Sequence, residues 1–249
     1  MRVNRQVALV GSMQFGLSSE WDCHVYAIRA PEGVVLVDSG SGMASETIVR
    51  NVGEDLGTDR VAAVVLTHAH ADHAAGAASL RERTGCALLV PQPSRRIVEQ
   101  GDEEAAGLRL AREQGGYPAE VRLRPVQVDA AFGDGEFFEA GGLRFRAIHV
   151  RGHSEDSTCL ECELECGRAL FCGDVVFYGG VLGVINAAGS GLEGYRCDLG
   201  KLRGLAVQAL FPGHGLFTLK RGQRHIDAAL AALEGGFLPR MVGQFDRIF

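Results

Sequence analysis

The sequence predicts an α/β protein in which two β-sheets pack together with helices outside. Short apolar runs bounded by glycine-rich turns recur in both halves, and helix-spaced segments accompany them in both. No linker divides the halves, so residues 1–249 read as a single domain. That length is enough to bury a core without cross-links.

In the first half, strands are expected over 7–11, 23–29 and 34–38. Over 45–56 the apolar residues Ile48, Val49, Val52 and Leu56 recur at helical spacing. The run over 61–66 is continuously apolar, as in a strand buried on both faces. A helix over 74–83 and a strand over 87–90 follow. The charged, helix-prone stretch at about 91–118 is then an excursion from the core, either a cap over an active site or a solvated surface helix. The second half carries strands over 123–128, 143–150, 158–164, 169–172 and 206–211, with helices over 192–204 and 220–233.

A net charge of −6 repels phosphate backbones, and no Lys/Arg block with interleaved aromatics offsets it, so no nucleic-acid partner is expected. The apolar run at 7–10 is too short for a signal peptide, and none reaches membrane-spanning length. A soluble cytoplasmic protein with no membrane partner and reduced thiols follows. Of the seven cysteines, Cys159, Cys162, Cys166 and Cys172 fall close together. A structural zinc site is one reading; against it, the spacing of Cys159 and Cys162 on a strand puts them on opposite faces.

The chemistry gathers at His68-Ala69-His70-Ala71-Asp72-His73, directly after the buried run. On a strand-like segment His68 and His70 project to one side, while the adjacent Asp72 and His73 diverge and feed two neighbouring positions. Imidazole and carboxylate suit zinc, iron or manganese. Four donors from one loop do not complete two open sites, and His153, Asp174 and His214 supply the remainder, each beside a glycine at a strand end or turn.

These motifs resemble the metallo-β-lactamase superfamily over nearly the whole chain. His68 to His73 matches its H-x-H-x-D-H signature, Asp38 its V-D-x-G segment, and Gly152-His153-Ser154, Gly173-Asp174 and Pro212-Gly213-His214-Gly215 its later motifs in order. The resemblance implies a four-layer αβ/βα sandwich with two divalent metal ions at one edge, zinc first and iron or manganese as alternatives. His68, His70 and His153 would bind one ion, Asp72, His73 and His214 the other, with Asp174 bridging. Asp72 and Asp174 are then the catalytic carboxylates, orienting a metal-bridging hydroxide and shuttling a proton. Asp38 is read as the acceptor that fixes a ligand imidazole, or else as a carboxylate in a tight Asp-Ser-Gly turn.

The implied activity is hydrolysis of an ester, lactone or thioester of a small acyl substrate, in the glyoxalase II and lactonase-like branch. A true β-lactamase is disfavoured, because those usually lack an aspartate at the Asp174 position and are exported. Only 35 residues follow His214, room for one helix and a tail rather than a glutathione-binding helical region. Where lactonases place a tyrosine three residues after the bridging aspartate, this chain has Phe177, then Tyr178. The stretch 175–194 is apolar and glycine-rich, a candidate pocket wall through Phe177 and Tyr178, with His24 a further candidate for the rim. His149 reads as packed or as a support behind a ligand, and His225 as surface. Two other readings stay open: a mononuclear iron-dependent dioxygenase of the persulfide dioxygenase type, and a non-catalytic sensor or binding protein.

Overall fold

Of the six strands of the first half, the first five are nearly continuous in buried residues, whereas the sixth is fully buried only at Phe132. β1 (Val7–Gly11), β2 (Val25–Ala30), β3 (Gly33–Val37), β4 (Val61–Val65), β5 (Ala87–Pro91) and β6 (Ala130–Phe132) lie in that order in one sheet. Pairing is antiparallel from β1 to β3 and parallel from β3 to β6. Parallel neighbours need crossovers, and helices supply them. α1 (Ser45–Leu56) joins β3 to β4, α2 (Ala71–Ala74) and α3 (Ala77–Thr84) join β4 to β5, and α4 (Ser94–Gln100) and α5 (Leu108–Glu113) lie between β5 and β6. Ile48, Val52 and Leu56 of α1 share a core with Val10, Val25, Leu36 and Val64. Gly57 ends α1 in the left-handed conformation, its N–H returned to the Gly53 carbonyl.

This computed structural model describes residues 1–235 and 238–242. The chain forms two compact units: Met1–Phe132 with Glu139–Arg144, and Gly133–Phe138 with the chain from Phe145 onward. A second sheet has five strands in the order β13 (Ala209–Pro212), β10 (Gly167–Gly173), β9 (Thr158–Leu164), β8 (Leu143–His149) and β7 (Phe137–Ala140). β10 and β13 pair in parallel, and α6 (Leu192–Asp198) lies in the crossover between them. Ile148, Cys159, Leu170 and Leu210 share a core with Tyr195 of α6 and with Ile226 and Ala229 of α7 (Gln223–Glu234). β11 (Val176–Phe177) and β12 (Val181–Leu182) form a small hairpin. Among the described residues, no helix is long and apolar enough to cross a membrane.

Three expectations are corrected. The stretch 123–128 is not a strand: Val121, Leu123 and Val128 are buried, but Pro125 carries no N–H for a ladder, and the strand forms afterwards as β6. The helix expected over 74–83 begins at Ala77, behind the separate short α2. His225 is 2% exposed, its Nδ1 accepting the Gly179 N–H at 2.9 Å; burial and then the nearby Arg224 push its pKa down. The stretch 91–118 carries two short helices, α4 and α5: Val98, Ala106 and Leu108 enter the core, and Arg112 binds Glu103 and the Val121 carbonyl.

The cysteines behave as their strand spacing argued. Cys159 and Cys172 lie in the core beside α6 and α7, whereas Cys162 faces the other way, paired across the ladders with Ala169 and Phe145. Among the described residues, no group of these thiols is placed to hold a metal.

Candidate metal centre

The first unit builds its donors at the ends of β3 and β4. Asp38 follows β3 at φ 65°, a conformation aspartate tolerates better than most side chains, and is 1% exposed. Its Oδ1 accepts the Thr67 N–H at 2.8 Å, and Thr67 Oγ1 lies 3.0–3.1 Å from both its oxygens. Its Oδ2 stands 2.8 Å from His73 Nδ1. A carboxylate only accepts, so His73 Nδ1 carries the hydrogen and Nε2 presents a lone pair.

That lone pair is 3.4 Å from Asp72 Oδ2. Asp72 and His73 therefore meet at their tips rather than diverge: they sit on the helical turn α2, where neighbours are about 100° apart, not on a strand. The turn is pinned from below. Ser39 donates to the His73 carbonyl through its N–H at 2.7 Å and its hydroxyl at 2.6 Å. Gly76 lets the Ser39 carbonyl approach to 2.1 Å of where a Cβ would stand. His68 Nδ1 lies 3.0 Å from Thr67 Oγ1, and His68 Nε2 lies 3.1 Å from His70 Nδ1.

The second unit does the same with backbone. Gly152, at φ 132°, packs against the Tyr195 ring, where a Cβ would come within 2.3 Å. The next residue, His153, donates from Nδ1 to the Gly183 carbonyl at 2.6 Å, which fixes its tautomer and presents Nε2. The buried Tyr195 hydroxyl accepts the Gly183 N–H at 3.1 Å and donates to the Asp174 carbonyl at 3.4 Å. Asp174 follows β10 and His214 follows β13, with the Gly213 N–H bonded to the Gly173 carbonyl at 2.8 Å. Asp174 Oδ2 is 3.6 Å from His153 Nε2 and 3.5 Å from His214 Nε2.

These separations, 3.1, 3.4, 3.5 and 3.6 Å, bear on a cation. Two ligands bonded to a tetrahedral zinc at about 2.0–2.1 Å stand about 3.3–3.4 Å apart. The donors of each unit thus have the chemistry and the spacing of metal ligands, and a divalent ion fits them.

The remaining candidates are placed as follows. Phe177 is buried with its ring 6.3 Å from that of His214. Tyr178 turns to α7: its ring lies 4.2 Å from that of His225, and its hydroxyl accepts from Arg224 at 3.0 Å. His24 is buried between the rings of Phe15 and Tyr26, at 5.6 and 5.9 Å.

Two residues beside the donors were not anticipated. Tyr117 donates its hydroxyl to Asp72 Oδ1 at 2.9 Å. Its one signal in the sequence is that it is the sole aromatic of the excursion, next to Gly115-Gly116. Cys23, fully buried, lies with its sulfur within 4.8 Å of ligand atoms of Asp38 and His73, and burial pushes its thiol up, keeping it protonated.

The family model of the metallo-beta-lactamase superfamily matches residues 19–214. An uncharacterized protein of Mycobacterium bovis is 31% identical over 216 residues, spanning 85% of this chain and 93% of that one. An atrochrysone carboxyl ACP thioesterase of Aspergillus fumigatus is 29% identical over 182 residues, 73% of this chain and 47% of the thioesterase. The native FEZ-1 metallo-beta-lactamase from Legionella gormanii matches with a TM-score of 0.70 at 19% identity, covering 94% of each chain, a likeness of fold alone.

Proposed function

Because this chain belongs to the metallo-β-lactamase superfamily and has its α/β fold, we propose that it is a dinuclear metal-dependent hydrolase cleaving an ester, lactone or thioester. The observation that carries the reading is the paired convergence of donors, each with an imidazole tautomer set from behind: His73 by Asp38 and His153 by the Gly183 carbonyl. Read onto the motif order of the family, His68, His70 and His153 would hold one ion and Asp72, His73 and His214 the other, with Asp174 shared. Bound ions of this kind, zinc in the first instance, lower the pKa of a shared water towards neutrality and polarise a carbonyl. The chain's own residues do the rest. Asp72 and Asp174 orient the attacking water and carry its proton to the leaving group. The thioesterase relative supports an acyl substrate. The reading places the enzyme in the cytoplasm, acting on a small molecule without nucleic-acid or membrane partners.

The test is metal quantification on protein purified without added metal, run with a panel of aryl esters, lactones and acyl thioesters. Two ions per chain and chelator-sensitive hydrolysis are expected. One iron per chain, no zinc and no hydrolysis would replace this reading with the iron-dependent dioxygenase, and a chain that takes up no metal would leave only a binding role.

A further inference from the structure

The excursion over 91–118 ends by presenting one phenol to a candidate ligand. A carboxylate on a short side chain can turn about its last torsion and offer a cation either oxygen, or both. At Asp72 the two oxygens have different partners: Oδ2 lies 3.4 Å from His73 Nε2, while Oδ1 accepts the Tyr117 hydroxyl at 2.9 Å. The phenol is held from several sides. The Gly116 N–H closes on the Ala111 carbonyl at 2.7 Å, turning the chain back at the end of α5. Pro118 restricts the backbone of Tyr117 itself. Arg112 ties α5 to Glu103 and to the Val121 carbonyl, at 3.1 and 2.7 Å. Trp21 lies against the tyrosine with ring centroids 5.9 Å apart. Trp21 is fixed in turn by its neighbour Asp22, whose carboxylate accepts from the Ser41 N–H and hydroxyl at 2.7 and 2.6 Å and from the Ser19 N–H at 3.1 Å.

We propose that Tyr117 is the positioning residue for Asp72: its hydroxyl holds Oδ1, so that Oδ2 alone is turned to the metal. The excursion is thereby part of the support of the metal centre. This rests on the reading of Asp72 as a ligand. Groups that hydrogen-bond to ligands from behind typically change metal affinity 10- to 100-fold when lost.

The decisive variant is Tyr117→Phe, which keeps the ring and its contact with Trp21 and removes only the hydroxyl. Zinc affinity is measured by competition with a chromophoric chelator, and the cobalt-substituted proteins are compared by visible absorption. The expected result is an approximately ten-fold or greater loss of affinity at one zinc site and a changed cobalt spectrum, with the thermal midpoint of the metal-free protein unmoved. Tyr117→Ala, which also removes the ring, serves as the packing control. If Tyr117→Phe matches the wild type in affinity and spectrum while Tyr117→Ala falls, the tyrosine only packs and the proposal is overturned. If wild type itself takes up neither zinc nor cobalt, the ligand reading fails along with it. Two ions bound equally by wild type and Tyr117→Phe overturn this inference alone.

Discussion

Replacing Asp38 tests how the first unit sets its donors. The carboxylate is 1% exposed and accepts from the Thr67 N–H at 2.8 Å, from the Thr67 hydroxyl at 3.0–3.1 Å and from His73 Nδ1 at 2.8 Å. In Asp38→Ala the hydroxyl can turn to His68 Nδ1, 3.0 Å away, but the two N–H donors are fixed in place. Each buried donor left without an acceptor costs about 1–3 kcal/mol. Placing alanine at φ 65° adds about 1 kcal/mol. A loss of about 4 kcal/mol follows for the metal-free protein. Asp38→Asn keeps the shape and the backbone preference but can accept through one atom only, so about half that loss is expected. Its larger effect falls on His73, whose tautomer is no longer enforced, and zinc affinity should drop 10- to 100-fold. Urea denaturation with chelator present gives the first quantity and chelator competition the second. If Asp38→Ala unfolds within 1 kcal/mol of wild type, on the order of a single weak hydrogen bond, and binds zinc equally well, the reasoning is wrong.

Three other outcomes are expected. His68→Ala and Asp72→Ala should abolish hydrolysis of aryl esters or lactones while circular dichroism stays native, and full activity in either would refute the site. Gly183→Ala puts a methyl 1.9 Å from the Asp174 carbonyl oxygen and should cost about 3 kcal/mol or more, seen as a lowered melting temperature, whereas Gly53→Ala, in open space on α1, should leave it unmoved or raise it. Burial works to raise the pKa of Asp198, but Arg151 and Lys201 outweigh it and bring it down to about 2 from 3.8. Depression of a carboxylate stabilises the folded state above the unfolded pKa, so this group contributes about 2 kcal/mol at neutral pH and loses it as the pH falls from about 4 through 2. Asp198→Asn should therefore be less stable than wild type at pH 7, with the gap narrowing by pH 3 in urea titrations; a gap independent of pH would rule the ion pairs out as its cause.

The candidate donors were legible in the sequence because each is announced locally, by a dense histidine motif after a buried run or by a glycine at a strand end. What surrounds them was not. That residues 71–74 coil into a helical turn depends on Gly76 admitting the Ser39 carbonyl, a contact between distant parts of the chain. The stretch 121–128 alternates like a strand, yet its buried residues anchor an irregular return from the excursion. His225 looked superficial in a charged segment, because the hairpin that covers it is specified more than forty residues earlier. Tyr117 carries no motif at all, and its place beside Asp72 comes from the path of the excursion.

The buried thiols offer something beyond packing. Cys23 and Cys86 lie in the first unit and Cys159, Cys162 and Cys172 in the second, all shielded, whereas Cys197 is exposed. Burial pushes the Cys162 thiol up to about 12 and raises the other shielded ones as well, so alkylation of any of them must wait for the backbone to open. Pulsed alkylation read peptide by peptide would time the opening of each half separately, with no label introduced. Cys23, lying next to the His73 imidazole, would report how far a bound ion slows that opening.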